Sequence, residues 1–389
     1  AVYNNKEIKA VNRVLKNNEL NLIDGPHVKK IEKIVPRIFG KKYGLMVNSG
    51  SSANLLALNS FNFKKGSEII TTSLTFSTTV APIYQLGLIP HFVGVLENKF
   101  IADVSQIERC INKKTVALMI PNLLGNIPDW KEINRIAKKY KLKVIEDSAD
   151  TLGATFNQIP TGEFSDISTT SFYGSHIITA AGEGGMICSN DEKWNEKCKI
   201  LRGWGRTSAI NESEKLEDRF STKLDDIPYD SKFIFEEMGY NFLPSEISAA
   251  FGLEQLKKLK MFAEIRKKNF NELKSFFNSI HFFETPKQLS NVETSWLAFP
   301  LTIASNAPFT RLEIVKHLES YGIQTRPVFS GNILRQPGFK NIRHKDVGKE
   351  FKVANNIIKN SFLIGCNHGL DQRHMNRIKM AFTSFLENR

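Results

Sequence analysis

The chain has 389 residues, 41% hydrophobic and 24% charged, with a formal net charge of +13, enough apolar material for a packed core and enough length for more than one domain. No window approaches the roughly 18 uninterrupted apolar residues of a membrane span, and the opening "AVYNNKEIKAVNRVLKNNEL" lacks the apolar stretch of a secretory signal. The lysines are scattered over amphipathic stretches rather than gathered into a nucleic-acid-binding arm, so the expectation is a cytoplasmic protein whose field draws small anions such as a phosphorylated cofactor.

In chain order, short β-rich runs alternate with helical patterns from about residue 44 to 190. The runs are "YGLMVN", "EIITT", "HFVGV", "VALMI", "KVIED", "ISTTSF" and "GMICS". Periodic segments such as "SSANLLALNSF" and "DWKEINRIAKKYK" are long enough to be crossover helices. The pattern predicts an α/β fold with a mostly parallel sheet flanked by helices. The polar stretch "GRTSAINESEKLEDRFSTKLDDIPYDSKF" reads as a long functional or mobile loop. A long helix near 245–277 then joins a large domain, residues 1–250, to a smaller C-terminal α/β domain, residues 251–389. Cys110, Cys188, Cys198 and Cys366 stand far apart with no C-x-x-C pair. They read as reduced thiols rather than disulfide, zinc or iron–sulfur ligands.

Three segments carry chemistry. In "VNSGSSANLLAL" a strand runs through Gly50 and Ser51 into a helix, whose N-terminal N–H groups and hydroxyls suit an anion as well as a simple cap. In "KVIEDSADTLGA" a buried-looking strand ends in Glu146 and Asp147, followed by Asp150. A carboxylate there can face a ligand at the strand's carboxyl end or cap the next helix. In "SFYGSHIITAAGEGGM", Ser171 and Ser175 offer hydroxyls, His176 follows, and a glycine-rich turn closes the segment.

In this order, and with "GPHVKKIEKIVPRIFG", "NLLGN", "GYNFLPSEISAAFGLEQL" and "TRPVFSGNILRQPGF", these segments resemble pyridoxal-phosphate enzymes of the aspartate-aminotransferase fold (fold type I). More narrowly they resemble the DegT/DnrJ/EryC1/StrS sugar aminotransferase family, which acts on nucleotide-linked keto sugars. In that family the residue after "SF-x-x-S/T" is a lysine that binds the cofactor covalently. Here it is His176, and the resemblance narrows to the histidine-containing 3-dehydrase subgroup that makes 3,6-dideoxy sugars. An imidazole forms no imine, but it moves protons near neutral pH. The stretch after "WGR" holds no cysteine, which points to the branch without an iron–sulfur cluster, the colitose-type branch, and to GDP as the nucleotide.

The resemblance implies a 3-dehydratase acting on a nucleotide-linked 4-keto-6-deoxy sugar. Its pyridoxal or pyridoxamine phosphate is held non-covalently, glutamate regenerates the amine form, and ammonia is released. His176 is the implied base. Asp147 is placed at the pyridine nitrogen, Asp150 near the ring hydroxyl, Phe76 over the ring, and Gly50, Ser51 and Ser171 at the phosphate. Asn241 would reach the neighbouring subunit's cofactor, which implies a homodimer with shared sites. Leu243 stands where many relatives have arginine, and the spacing from His176 to the "EGG" turn departs from the subgroup's pattern. Arg202, Arg206 and Arg326 are candidates for the glutamate carboxylate or the sugar diphosphate, and His368 for the sugar pocket. An aminotransferase working with free pyridoxamine phosphate and a non-catalytic, regulatory relative remain as alternatives.

Overall fold

In the computed structural model, which describes residues 2–210, 213, 215–347 and 351–387, the alternating runs condense into one eight-stranded sheet. Seven strands come from the N-terminal half: β1 (Tyr43–Val47), β2 (Glu68–Thr72), β3 (Ile89–Val93), β4 (Thr115–Pro121), β5 (Lys143–Ser148), β6 (Ile167–Ser171) and β7 (Gly185–Ser189). They lie in the order β1-β7-β6-β5-β4-β2-β3, and the two-residue strand Lys345–Asp346 adds an eighth beside β3. From β6 to that edge all pairs are parallel, and β7 runs antiparallel to both its neighbours. The buried strands are nearly continuous in apolar and β-branched residues, as a sheet covered on both faces requires.

The helices follow from local signals. α1 (Asn5–Lys16) opens on a capping box in which Asn4 and Glu7 satisfy each other's end of the turn, and α2 (Pro26–Ile38) starts with proline at its first position. α3 (Gly50–Ser60) is capped by Ser49, whose side chain accepts from the Ser52 N–H, and α4 (Ser77–Gln85) begins after Phe76. α5 (Trp130–Tyr140) carries Asp129 as its cap, lysines in its last turn and Lys141 as a left-handed terminator. It buries Trp130, Ile133, Ile136 and Ala137 along one stripe. The Trp130 indole donates to Asn122 Oδ1 at 2.9 Å, so this packing also fixes a side chain at the end of β4.

The connecting helix differs from expectation. Beyond α6 (Glu192–Arg202) it is two helices, α7 (Glu246–Leu256) and α8 (Leu259–Asn278), which part at Lys257 and Lys258, where the Lys258 ammonium reaches the buried Glu7 of α1 at 2.5 Å. α8 puts Phe262 into the core shared with α2 and β7, and Phe270, Leu273 and Phe277 into an aromatic core of the C-terminal half. That half holds a four-stranded antiparallel sheet ordered Phe283–Glu284, Phe299–Ile303, Ser361–Ile364, Arg326–Pro327. The long polar stretch folds in part as a hairpin, Thr222–Leu224 with Ile227–Tyr229, while its Asn211, Glu212 and Glu214 lie outside the described residues. No described helix is long and apolar enough to cross a membrane.

Candidate active site

A cleft of about 570 Å³ opens where β4, β5 and β6 end, between α3, α4 and the segment around Arg326. Ligand sites in parallel α/β sheets form at these carboxyl ends because successive loops diverge there. The tight approach of α3 to the sheet depends on glycine: a Cβ on Gly50 would sit 2.6 Å from Ser171 Cβ, and one on Gly185 would sit 2.3 Å from the Ser49 carbonyl oxygen. The helix start therefore stands directly over the end of β6, with the hydroxyls of Ser51 and Ser171 on the cleft wall.

Asp147 ends β5, almost fully buried. Its Oδ2 accepts from Thr79 Oγ1 at 2.7 Å and Asn54 Nδ2 at 2.8 Å, and its Oδ1 from the Ala149 N–H at 3.1 Å. Burial raises its pKa, and these three donors oppose the rise. The donors are themselves held, Asn54 Oδ1 by Thr169 and the Thr79 hydroxyl by Thr75. Asn54 and Thr79 were not among the residues expected from the sequence, although each falls one helical turn from one that was: Asn54 four after Gly50 on α3, and Thr79 three after Phe76.

Asp150 presents its Oδ2 to the Leu124 N–H at 2.8 Å, and its Oδ1 lies 3.9 Å from His176 Nε2. Burial pushes the Asp150 carboxyl up to about 7, and the charge of Asp147 adds to the rise. His176 is pushed down to about 4, mainly by burial and further by the positive charge of Arg266, with the Ser171 carbonyl acting against both. At 3.9 Å the pair is too long for a hydrogen bond, and between about pH 4 and 7 both groups are neutral, so it is not an ion pair. His176 Nδ1 is buried and makes no hydrogen bond.

The flanking sequence explains why a polar side chain is held here. Phe172, Ile177 and Ile178 are buried in the core around α2 and α7, which pins the turn on both sides of the histidine. After Ala180 the chain doubles back through Gly182 and Gly184, at φ of 107° and 135°, and the Gly174 N–H donates to the Gly182 carbonyl at 3.0 Å. This turn brings Glu183, which was not among the residues expected from the sequence, to the cleft.

Phe76, half exposed, and Phe329 meet edge to face at 6.0 Å on the cleft wall, and Arg326 lines the cleft with its Nη1 on the Thr325 carbonyl. The cleft thus gathers Gly50, Ser51, Phe76, Asp147, Asp150, Ser171, His176 and Arg326.

Three residues expected in the site lie elsewhere, and a fourth, Asn241, was expected to face a neighbouring subunit. Arg202 is buried and committed to structure: it reaches Asp24 at 2.8 Å, Glu32 at 3.0 Å and the Met46 carbonyl at 2.7 Å, which corrects its assignment to substrate. His368, half-buried, stacks on Phe262 at 3.8 Å and accepts from Arg266 Nε at 3.1 Å, and it is not among the residues lining the cleft. Arg206 lies over the Trp204 ring at 4.4 Å, away from the cleft. Asn241, exposed, pairs with the buried Gly203 outside this chain's own cleft.

The arrangement fits pyridoxal phosphate. A hydrogen-bonded carboxylate suits a ring N–H, a helix start with hydroxyls suits the phosphate, and an open aromatic face suits the ring.

The DegT/DnrJ/EryC1/StrS aminotransferase family profile matches residues 2–383. The chain is 38% identical over 367 residues to the lipopolysaccharide biosynthesis protein RfbH of Salmonella typhimurium, covering 91% of this chain and 84% of that protein. It is 33% identical over 378 residues to GDP-4-keto-6-deoxy-D-mannose 3-dehydratase of Yersinia pseudotuberculosis, covering 95% and 93%. Among solved structures, a GDP-4-keto-6-deoxymannose 3-dehydratase with a trapped PLP-glutamate geminal diamine superposes with a TM-score of 0.88 at 30% identity over 98% of each chain.

Proposed function

From the premise that this chain belongs to the DegT/DnrJ/EryC1/StrS aminotransferase family, we propose that it is a pyridoxal-phosphate-dependent 3-dehydratase. It removes the C3 hydroxyl of a nucleotide-linked 4-keto-6-deoxy sugar, GDP-linked by the relatives' names, in 3,6-dideoxy sugar formation for surface polysaccharide. The observation that carries this reading is His176. An imidazole occupies the end of the β6 segment, where the family holds a lysine, and no lysine lines the cleft among the described residues. The cofactor is therefore held by the pocket alone.

When bound, the cofactor would supply an amine for the C4 carbonyl and a ring able to take up an electron pair. Asp147 stabilises a protonated ring nitrogen, with Thr79 and Asn54 keeping its carboxylate oriented. Gly50, Ser51 and Ser171 would hold the phosphate, and Phe76 would lie against the ring. His176 Nε2, neutral at physiological pH, accepts a proton and, once cationic, is the acid for the departing C3 hydroxyl. Asp150, protonated below about pH 7, sits beside it without holding it in the charged form. Arg326 receives the glutamate carboxylate or the sugar diphosphate. Overall, sugar and glutamate yield the 3-deoxy 4-keto sugar, 2-oxoglutarate and ammonia. The exposed Asn241 is assigned to the cofactor phosphate of a second copy, in a cytoplasmic homodimer.

The test is incubation with pyridoxal phosphate, glutamate and GDP-4-keto-6-deoxymannose. The expected products are a 3-deoxy 4-keto sugar and one ammonia per turnover. A 4-amino sugar formed without ammonia would identify an aminotransferase, and no spectral change on adding cofactor would identify a non-catalytic relative.

A further inference from the structure

Directly behind the His176 turn lies a buried cation that the mechanism above does not use. Arg266, on α8, is 1% exposed. Its Nη1 donates to the carbonyls of Trp296 at 3.2 Å and Leu297 at 3.0 Å, its Nη2 to the carbonyl of His176 at 3.3 Å, and its Nε to His368 Nδ1 at 3.1 Å. Every partner is neutral, and among the described residues no carboxylate lies within 4 Å of the guanidinium. Buried arginines are ordinarily paired with acids, because taking the charge out of water costs several kcal/mol. Here the fold retains the charge on carbonyls and an imidazole. One of those carbonyls belongs to His176 itself.

We propose that Arg266 is a positioning residue for His176: it clamps the turn through the His176 carbonyl and places a fixed positive charge on that residue's backbone, so that the resting base stays unprotonated and ready to accept. The inference rests on the assignment of His176 as the base. The groups that face the imidazole are Asp150 from the segment after β5 and Tyr173 from its own turn, whose ring meets it edge-on at 5.6 Å, while Arg266 from α8 holds the carbonyl of the same residue. Asp147, the next acid along, is engaged by Thr79 and Asn54. Of these only Arg266 is positively charged, and it acts against protonation. His368 supports the same arrangement. Its Nδ1 accepts from Arg266, so its proton is on Nε2 and the ring is neutral, and burial with the Arg266 charge pushes it down to about 3.

The experiment follows imidazole resonances of ¹⁵N-histidine-labelled, cofactor-free protein across pH, with His176 identified by its loss in His176→Asn. In the wild type, the His176 midpoint is expected below pH 5. Arg266→Gln should strengthen proton binding by about tenfold, moving the midpoint up by about one pH unit. Arg266→Lys keeps a cation but loses the fork. It should leave the midpoint low and lower kcat by about tenfold, with KM for glutamate unchanged. A wild-type midpoint at pH 6 or above overturns the proposal whatever the variants do. So does a folded Arg266→Gln with an unmoved midpoint, or an Arg266→Lys with undiminished kcat. Because the titration needs neither cofactor nor turnover, its outcome is separate from the dehydratase reading, which fails instead if His176→Asn still removes the C3 hydroxyl.

Discussion

Replacing Asp150 with asparagine keeps the acceptor for the Leu124 N–H and removes only the ionisable proton, so it isolates the cost of the buried carboxyl. The rise from 3.8 to about 7 is a stability statement. A carboxyl that binds its proton more tightly in the folded chain contributes stability that is complete below pH 3.8 and lost as pH climbs through 7. Over the whole window this amounts to about 4 kcal/mol, and between pH 5 and pH 8 to about 3 kcal/mol. His176 acts in the opposite sense, losing stability as pH falls from 6.5 towards 4, but it is common to both proteins and cancels in the difference. Urea unfolding of cofactor-free wild type and Asp150→Asn, followed by circular dichroism, should therefore show the variant gaining about 3 kcal/mol on the wild type from pH 5 to pH 8. A difference between the two proteins that is the same at both pH values would mean that Asp150 is ionised in the fold. His176 would then face an anion at 3.9 Å, and the neutral base of the proposed mechanism would be lost.

In His176→Lys the cofactor should become fixed to the chain by borohydride, and dehydration should fall by at least about 10²-fold; undiminished dehydration would refute the role given to the imidazole. Gly50→Ala forces its Cβ to 2.6 Å from Ser171, so stability should drop by about 1–3 kcal/mol and pyridoxal phosphate affinity by roughly tenfold in equilibrium dialysis. Unchanged affinity would place the phosphate elsewhere. Arg202→Met strands the acids Asp24 and Glu32, and because Asp24 is partly exposed the cost should be near about 3 kcal/mol. KM for glutamate should not move, and a large increase would return Arg202 to the substrate.

The sheet was legible because each strand is a short β-branched run closed by turn residues, a signal complete within five or six positions. The cleft residues Gly50, Asp147, Ser171 and His176 were legible for a related reason: each stands at or just beyond a strand's carboxyl end, so local order along the chain already puts it on the ligand side of the sheet. Arginines and histidines far from strand ends carry no such marker. Arg202 and Arg326 are the same side chain, yet one meets Asp24 and Glu32, both far from it in sequence, while the other faces the cleft. His368 likewise owes its place to Arg266 and Phe262, about a hundred residues earlier.

The clearest omission is Arg266, which lies in "AEIRKKNF", one of the amphipathic stretches over which the lysines are scattered. Its signal was available in the spacing. Phe262, Arg266 and Phe270 recur at intervals of four, and Leu273 and Phe277 continue the line, so the guanidinium occupies a position on the apolar stripe of α8 rather than on the lysine face beside it. A charge on the buried stripe of a helix needs hydrogen-bond partners for its donors. Since this one meets only carbonyls and an imidazole, the sequence pattern and the structure together lead to the turn that carries His176.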